Sequence, residues 1–279
     1  MTYNIMLQST LSGSGKSLIA AAICRYFHKR GYEVSPFKSL NISLNSYITP
    51  DGREIGMSQA FQSWACGKEP CHQMNPILLK ATGNRASQAI VNGVPRKEFE
   101  RHGKEGPVTP ILERAYRYLE ERNDIIVIEG SGTPSEINLN DIANMNTAEL
   151  FKSPVILIGD IDTGGVFAGL YGTYQLLSEE HKRLIKGYII NKFRGDPSIL
   201  GSGITRLEKE LKAPCLGVMT YQCYSFPEED SLSMGGPQRG GSPGGDVRDI
   251  WLRNLDTFLE TMEKEIKFDQ LENIMRGGV

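Results

Sequence analysis

Long apolar stretches are missing from this sequence, and so is an excess of charge of either sign. No run of apolar residues approaches the roughly 20 that a membrane-spanning helix requires. Residues 1–7 lack the basic start of a secretory signal and are too short for its apolar region. Lysine and arginine number 31 against 33 aspartate and glutamate, which leaves a formal net charge of −2. We therefore expect no membrane partner and no nucleic-acid partner.

Cysteine is also scarce. The chain has five cysteines, an odd and loosely spaced set that does not predict a disulfide framework in a protein of 279 residues. They are Cys24, Cys66, Cys71, Cys215 and Cys223. A metal site at Cys66, Cys71 and His72 is conceivable, but their spacing does not fit the common zinc sites, so buried or incidental thiols are favoured. The expected location is the reducing cytoplasm.

The sequence does contain a glycine loop near its start, at residues 8–17. The loop follows a short apolar run, residues 3–7, and precedes residues 18–29, which have the apolar period of a helix. Strand, glycine loop, Gly-Lys-Ser and helix together are typical of a phosphate-binding loop. Gly13 and Gly15 have no Cβ, which lets the backbone turn its N–H groups toward a phosphate. This context disfavours the alternative, an ordinary glycine turn before a core helix.

The residue types in the loop predict its chemistry. Lys16 should reach the β- and γ-phosphates of a nucleotide, and the Ser17 hydroxyl should be a ligand of Mg²⁺. The start of the following helix adds the positive end of its dipole. One position departs from the usual pattern, because Thr10 stands where the first glycine of the motif is expected.

Three further apolar runs are typical of strands buried on both faces of a parallel sheet. They cover residues 124–129, 154–160 and 187–191. Helix-like segments separate them, so the alternation predicts an α/β fold with a doubly wound, mostly parallel sheet. Polar side chains stand at the ends of the runs: Glu129, Asp160 with Asp162, and Asn191. An acid at a strand end is placed like the acid that binds Mg²⁺ in P-loop enzymes, which favours that role for Glu129.

A polar segment follows the second strand candidate, residues 33–37. Its candidate site residues, with one from the turn after it, are Lys38, Asn41, Ser43, Asn45 and Asp51. In a doubly wound sheet this position lies at the carboxyl edge, where ligands bind. A solvated loop remains an open alternative for the segment.

Two amphipathic segments predict helices that pack on the domain. Residues 108–123 place five side chains on one side: Ile111, Leu112, Ala115, Tyr118 and Leu119. Residues 249–275 carry a second stripe: Leu252, Leu255, Phe258, Leu259 and Met262. A partner-binding role is the less favoured reading of the second helix. We divide the chain into an α/β domain at 1–232, a glycine-rich linker at 233–248 and a helical segment at 249–279.

The motifs, in this order, resemble those of the cobyric acid synthases, within the dethiobiotin-synthetase-like P-loop amidoligases. The resemblance extends over most of the chain and is far more specific than a P-loop alone. The matching stretches are residues 8–17, 36–38, 41–45, 49–52, 54–56, 74–80, 87–88, 127–132, 136–139, 141–145, 160–162, 164–167, 191–196 and 228–232.

The resemblance implies a reaction. Members of this family use ATP and Mg²⁺ to phosphorylate carboxylates at the periphery of adenosylcobyrinic acid a,c-diamide, and ammonia then displaces phosphate to leave primary amides. A carboxylate is a poor acyl donor because its leaving group would be oxide, and phosphorylation supplies a better one. The protein mainly positions the reactants and neutralises charge. Residues 1–232 would then be the amidoligase domain.

The resemblance also implies roles for individual residues. The ATP site would comprise Thr10, Ser12, Gly13, Ser14, Gly15, Lys16 and Ser17, with Asn191 at the adenine. Mg²⁺ would be held by Ser17, Asp51 and Glu129. The catalytic residues would be Lys16, Lys38, Asp160 and Asp162, where Lys38 stabilises the carboxylate and the transferring phosphoryl group. Asn41, Ser43 and Asn45 would face the substrate, and Asp160 and Asp162 would face the substrate or ammonia.

Three departures from the family pattern qualify these expectations. Ser9 replaces a glycine, and Thr163 replaces an arginine that would suit an acidic substrate. The residues after Ser231 are too few for the glutaminase domain of the family, and no cysteine lies in a glycine-flanked nucleophile turn. We therefore expect that this chain does not hydrolyse glutamine, and that ammonia is free or comes from a separate glutaminase subunit. A homodimer is plausible by analogy with dethiobiotin synthetase.

Two alternatives stay open at this point. The chain could amidate a different polycarboxylate, such as another tetrapyrrole or a cell-wall precursor. It could also be a non-catalytic nucleotide-binding regulator. The presence of Lys16, Ser17, Asp51 and Glu129 argues against the regulator, because a protein that only binds nucleotide would not need both acids.

Overall fold

The structure is a computed structural model that describes residues 2–81, 87–97, 108–136, 141–224, 226 and 247–278. Its strands are β1 (Tyr3–Ser9), β2 (Val34–Phe37), β3 (Leu40–Ile42), β4 (Ser46–Ile48), β5 (Glu54–Gly56), β6 (Ile77–Ala81), β7 (Ser87–Val91), β8 (Val94–Pro95), β9 (Ile125–Glu129), β10 (Val155–Asp160), β11 (Ile185–Phe193) and β12 (Cys215–Thr220). Its α-helices are α1 (Lys16–Lys29), α2 (Met57–Ala65), α3 (Val108–Glu120), α4 (Met145–Leu150), α5 (Val166–Leu176), α6 (Glu179–Lys182), α7 (Gly201–Leu211), α8 (Val247–Glu265) and α9 (Phe268–Met275).

Six strands form the central sheet in the order β12-β11-β10-β1-β9-β2, and all neighbouring pairs are parallel. The strand that precedes the glycine loop, β1, lies inside the sheet between β10 and β9. Strand order reverses at β1, because the chain adds β2 and β9 on one side and β10 to β12 on the other. This confirms the predicted doubly wound parallel sheet, and it places the loop at the switch point where such sheets bind ligands.

Alternate residues of the central strands enter two separate cores. In β1, Ile5 and Leu7 belong to one apolar cluster and Met6 belongs to the other. In β9, Val127 and Ile126 divide in the same way. Successive strand residues point to opposite faces, so continuous apolar runs are needed where both faces are covered. Each side chain is at most 1% exposed, and truncating Ile126 to alanine should cost about 2–5 kcal/mol.

Helices cover both faces of the sheet. Apolar side chains of α1, α2, α8 and α9 pack on the face of Ile5 and Leu7, and those of α3, α4, α5 and α7 pack on the face of Met6. None of the helices in the described part of the chain is both long and apolar enough to cross a membrane.

Two small sheets adjoin the edge of the central sheet at β2. One has the order β3-β6-β7-β8, and the other is the antiparallel hairpin β4–β5. Ile77 and Val91 of the first small sheet pack against Ile111 and Leu112 of α3. Part of the polar segment for which a solvated loop was the open alternative is therefore strand, because β3 pairs in parallel with β6.

The prediction that Tyr118 of α3 is buried is wrong. Tyr118 is 39% exposed, whereas Tyr116 is buried. The two tyrosines lie at opposite margins of the apolar stripe, so neighbours outside the helix decide between them. The Tyr116 ring stacks on Phe151 at 3.9 Å between centroids, and its hydroxyl oxygen accepts a hydrogen bond from Asn4 Nδ2 at 2.7 Å.

The C-terminal segment packs back on the α/β domain, as the favoured interpretation predicts. Leu255, Phe258 and the rest of the α8 stripe join the core beneath α1. The predicted single helix is broken, however, at Ile266, which makes an isolated bridge to Gly217. Gly217 has space for this bridge because it has no side chain: a Cβ there would lie 2.1 Å from the Glu265 carbonyl oxygen. The predicted linker, apart from residues 247–248, and the matching stretches at 137–139 and 228–232 lie outside the described residues.

Candidate active site

The glycine loop connects the end of β1 to the first turn of α1. Gly13 and Gly15 have φ angles of 74° and 89°, in the left-handed region that favours glycine. In a glycine loop that leads into a helix, backbone N–H groups of the loop and of the first helical turn can stabilise an anion. The Ser14 hydroxyl is buried and has no hydrogen-bond partner among the described residues, so a phosphate oxygen bound in the loop would satisfy it. Thr10 is half-buried at the start of the loop, and Ser12 is exposed.

Lys16 is buried at the base of the loop. Its Nζ donates a hydrogen bond to Ser9 Oγ at 3.2 Å, and the Ser9 hydroxyl donates in turn to the Leu11 carbonyl at 2.9 Å. Ser9 is the position where the family pattern has glycine. Its hydroxyl therefore helps to hold the Lys16 ammonium inside the loop.

The Glu129 carboxylate is the centre of a buried polar network. Its Oε1 accepts hydrogen bonds from Ser17 Oγ and from Lys38 Nζ, both at 2.7 Å. Its Oε2 accepts from Gln62 Nε2 at 2.5 Å and from Gln59 Nε2 at 3.4 Å. Glu129 is 1% exposed. A buried carboxylate needs such partners, because desolvation without them would cost several kcal/mol.

Lys38 reaches Glu129 from the end of β2, and its own backbone is fixed. The Lys38 N–H donates to the Met74 carbonyl at 2.9 Å, and the Lys38 carbonyl accepts from Asn75 Nδ2 at 3.1 Å. Asn75 Nδ2 also donates to the Ile77 carbonyl, and its Oδ1 accepts from the Gly56 N–H. Asn75 thus connects the end of β2 to both small sheets.

Gln59 and Gln62 are site residues that sequence reasoning missed. They lie three residues apart on α2 and are 0% and 1% exposed. The available sequence signal was two glutamines three positions apart on one side of a helix-like segment, since amides that become buried need hydrogen-bond partners. Asn41 joins the same network, because its Nδ2 donates to Gln59 Oε1 at 2.9 Å. Ser43 and Asn45 lie in the turn after β3, where Ser43 Oγ accepts from the Asn45 N–H at 3.1 Å.

Asp51 lies on the exposed turn of the β4–β5 hairpin. Its carboxylate accepts a hydrogen bond from Thr49 Oγ1, and its Oδ2 is 3.6 Å from His72 Nδ1. The Thr49 hydrogen bond is the main reason that the pKa of Asp51 lies below its ordinary value. The structure therefore brings Ser17 and Glu129 together, whereas the Asp51 contacts are with Thr49 and His72. Its role as a metal ligand stays a prediction.

The ends of β10 and β11 hold the remaining predicted residues. Asn191 Nδ2 donates to the Ser14 carbonyl at 2.7 Å, so this side chain packs against the loop backbone. Asp160 is buried and accepts from Lys192 Nζ at 2.6 Å, and the same ammonium donates to the Gly13 carbonyl at 2.7 Å. Asp162 is paired with Arg194, whose Nε lies 2.6 Å from Oδ1, and this hydrogen bond lowers the pKa of Asp162.

Two oxygen-bearing side chains of the kind that can bind Mg²⁺ lie beside the loop. The Ser17 hydroxyl and the Glu129 carboxylate are both hard donors, and they lie within hydrogen-bonding distance of each other. In the described residues, no group of three or more His, Cys, Asp or Glu side chains could hold a metal ion by itself.

The fold and this arrangement define a P-loop nucleotide-binding protein, since the loop, Lys16, Ser17 and Glu129 all meet at the carboxyl end of β1 and β9. Residues 5–229 match the CbiA family, described as the CobQ/CobB/MinD/ParA nucleotide binding domain, and the chain belongs to this family.

Several curated relatives named cobyric acid synthase are similar to this chain. The protein of Ruminiclostridium cellulolyticum is 45% identical over 100% of this chain and 54% of its own length. The protein of Streptococcus sanguinis is 44% identical over 100% of this chain and 57% of its own length. One from Clostridium botulinum is 52% identical over 81% of this chain and 47% of its own length. The chain thus spans about half the length of the curated relatives that it matches.

Proposed function

We propose that this chain carries the ATP-dependent step of cobyric acid synthesis, in which side-chain carboxylates of adenosylcobyrinic acid a,c-diamide are converted to primary amides. The relatives named cobyric acid synthase support the choice of acceptor. The buried contact of Glu129 with both Lys38 and Ser17, beside a P-loop that contains Lys16, is the observation that carries the phosphoryl-transfer chemistry.

The reaction has two balanced steps. An oxygen of the acceptor carboxylate bonds to the γ-phosphorus of ATP, and the bond from that phosphorus to the bridging oxygen breaks, so that ADP leaves. Ammonia then bonds to the carbonyl carbon of the acyl phosphate. The carbon–oxygen bond to phosphate breaks, and the nitrogen loses a proton, which yields the amide and inorganic phosphate.

The residues of this chain supply charge and position. Lys16 and the N–H groups of the loop stabilise negative charge on the phosphates. Lys38 neutralises the acceptor carboxylate as it approaches the phosphoryl group. Ser17 and Glu129 would hold Mg²⁺, with Asp51 as a further predicted ligand. Bound Mg²⁺ would neutralise charge on the phosphate oxygens and hold them in register.

The test is an assay with ATP, Mg²⁺, ammonium and cobyrinic acid a,c-diamide, followed by mass spectrometry. Stepwise conversion of acid to amide supports the proposal. Turnover of ATP only with another acid would assign the chain to a different polycarboxylate, and no turnover with any acid would favour a nucleotide-binding regulator. Lys16→Ala should abolish amide formation, whereas Lys209→Ala, on the exposed side of α7, should leave the rate unchanged.

The nitrogen source is a separate part of the proposal. We infer that ammonia enters either from solution or from a glutaminase subunit in the cytoplasm. Replacing ammonium by glutamine in the same assay distinguishes the sources. Activity with glutamine only after a glutaminase protein is added would support a subunit, and activity of this chain alone with glutamine would contradict it.

A further inference from the structure

A polar cavity of about 380 Å³ lies away from the glycine loop. It is open to solvent and is bordered by the β4–β5 hairpin, the short 3-10 helix at His72–Met74, the turn between β7 and β8, and α3. The polar side chains that line it are Arg53, His72, Gln73, Asn92, Arg96, Arg114 and Tyr118. Each of these seven groups can donate a hydrogen bond, and none of them is a carboxylate.

Positive charge is concentrated at this cavity. Three arginines line it, although the chain as a whole has a net charge of −2. Asp51, whose Oδ2 lies 3.6 Å from His72 Nδ1, already accepts a hydrogen bond from Thr49. Guanidinium groups stay charged at any physiological pH and present two parallel N–H donors, which match the two oxygens of a carboxylate. The cavity therefore has the chemistry to bind a carboxylate.

His72 adds an unsatisfied polar atom. Its Nδ1 is buried and has no hydrogen-bond partner in the described part of the chain, since Asp51 Oδ2 at 3.6 Å is too distant. An imidazole N–H at this position could donate a hydrogen bond to a bound carboxylate.

The 3-10 helix that borders the cavity also contacts the backbone of Lys38. The 3-10 helix that contributes His72 ends at Met74, whose carbonyl accepts the hydrogen bond from the Lys38 N–H. A 3-10 helix rises about 2 Å per residue, so this one is very short. A large acceptor with carboxylates around its rim could present one to Lys38 while another remains in the cavity.

We propose that this arginine-lined cavity binds an unreacted carboxylate of the acceptor while a second carboxylate reacts at Lys38. This inference depends on the proposed function, because it identifies a subsite for the same polycarboxylate. Such a subsite would orient an acceptor whose carboxylates are chemically alike, and would thereby select which of them is phosphorylated.

The test compares two substitutions on α3 that remove the same charge. Both arginines are exposed: Arg114→Gln changes the cavity, and Arg117→Gln changes a different groove beside the same helix. Calorimetric titration with cobyrinic acid a,c-diamide should give a Kd about tenfold higher for Arg114→Gln, as expected for loss of a charge-assisted hydrogen bond. The KM for the acceptor should rise similarly and the KM for ATP should not. Equal values in the two variants would overturn the inference.

A second ligand separates this inference from the proposed function. Tricarballylate, a simple tricarboxylate, is titrated into the same proteins without ATP, and both variants are checked by thermal unfolding. If binding depends on Arg114 but the corrinoid is not amidated, the proposed function is wrong and the carboxylate subsite stands. If the corrinoid is amidated with the same KM in all three proteins, the subsite is wrong and the proposed function stands.

Discussion

The side-chain nitrogen of Gln62 lies 2.5 Å from Oε2 of Glu129, and it also donates to the Ser17 carbonyl at 3.2 Å. One amide of α2 thus holds the acid at the end of β9 and the first turn of α1 in fixed relation. Since Ser17 Oγ donates to the other oxygen of Glu129, the carboxylate is oriented from two helices. We assign Gln62 a positioning role, because it acts through Glu129.

Gln62→Ala should lower both turnover and stability. The substitution leaves Glu129 Oε2 buried with one weaker donor, Gln59 at 3.4 Å, which should cost about 1–3 kcal/mol of unfolding free energy. Turnover should fall by about tenfold or more, and the half-saturating Mg²⁺ concentration should rise. Kinetic assays at varied Mg²⁺ and urea unfolding measure both effects. Gln59→Ala is the control and should have the smaller effect on Mg²⁺ dependence; the reverse order would contradict the assignment.

Two further variants compare the acids predicted to bind Mg²⁺. Glu129→Gln removes the charge and leaves the Lys38 ammonium buried without its counterion, so turnover should fall about 100-fold and stability by about 3–5 kcal/mol. Asp51→Asn changes an exposed turn and should alter stability by less than about 0.5 kcal/mol.

Mg²⁺ titrations of the rate decide the role of Asp51. If this carboxylate completes the metal site, Asp51→Asn should raise the half-saturating Mg²⁺ concentration by about tenfold, which is the usual scale for a weakened ligand. An unchanged Mg²⁺ dependence would remove Asp51 from the metal site. It would leave Ser17 and Glu129 as the protein ligands in the described residues.

Gly15→Ala should weaken the loop in two ways. A Cβ at this position would lie 2.4 Å from Asn191 Nδ2, and the φ angle of 89° costs an L-residue about 1–2 kcal/mol. Asn191→Ala alone removes the hydrogen bond to the Ser14 carbonyl, which should cost about 1 kcal/mol. In the double variant the collision is gone, so its loss of unfolding free energy should be smaller than the sum of the single losses. Additive losses in urea unfolding would show that the two positions are independent.

Docking of α8 should depend on pH through Asp256. Burial alone would raise the pKa of this carboxyl, but hydrogen bonds and charge from Arg25 and Lys29 hold the pKa below its ordinary value of 3.8. A lowered folded-state pKa stabilises the fold above the unfolded-state pKa, and this contribution is lost as pH falls through the folded-state pKa.

Asp256→Asn should therefore be less stable than the wild type by about 1 kcal/mol at pH 7, a typical value for a partly exposed ion pair. The difference should shrink as pH falls below about 4. Urea unfolding at a series of pH values measures it. A difference that stays constant across the series would contradict the ion-pair explanation.

The fold could be predicted where the signal is local. The apolar runs of β9 and β10 predict buried strands, because burial on both faces restricts the residues to apolar types. The glycines of the loop predict a turn with positive φ angles, because other residue types rarely adopt them. The roles of Gln59 and Gln62 could not be predicted in this way. Their helix can be predicted from the spacing of its apolar residues. Their partner, Glu129, is about 70 positions away in the sequence and comes near only through the order of strands in the sheet.

The two details of the fold that we predicted incorrectly also depend on contacts between residues that are far apart in the sequence. Tyr118 and Tyr116 both border the α3 stripe, and the stacking of Phe151 on Tyr116 decided between them. The break after α8 depends on Gly217 of β12, and on the hydrogen bond from the Lys267 N–H to the Leu216 carbonyl. The spacing of apolar residues within one segment does not reveal long-range pairings of this kind.

The ammonium of Lys192 bridges the Gly13 carbonyl and the buried Asp160 carboxylate, at 2.7 and 2.6 Å. It therefore ties the phosphate loop to the carboxyl end of β10. Moving the ammonium away would leave the buried Asp160 carboxylate without its counterion, which is costly. The hydrogen bonds of Lys192 thus oppose independent displacement of the loop and of the strand end that precedes Asp162.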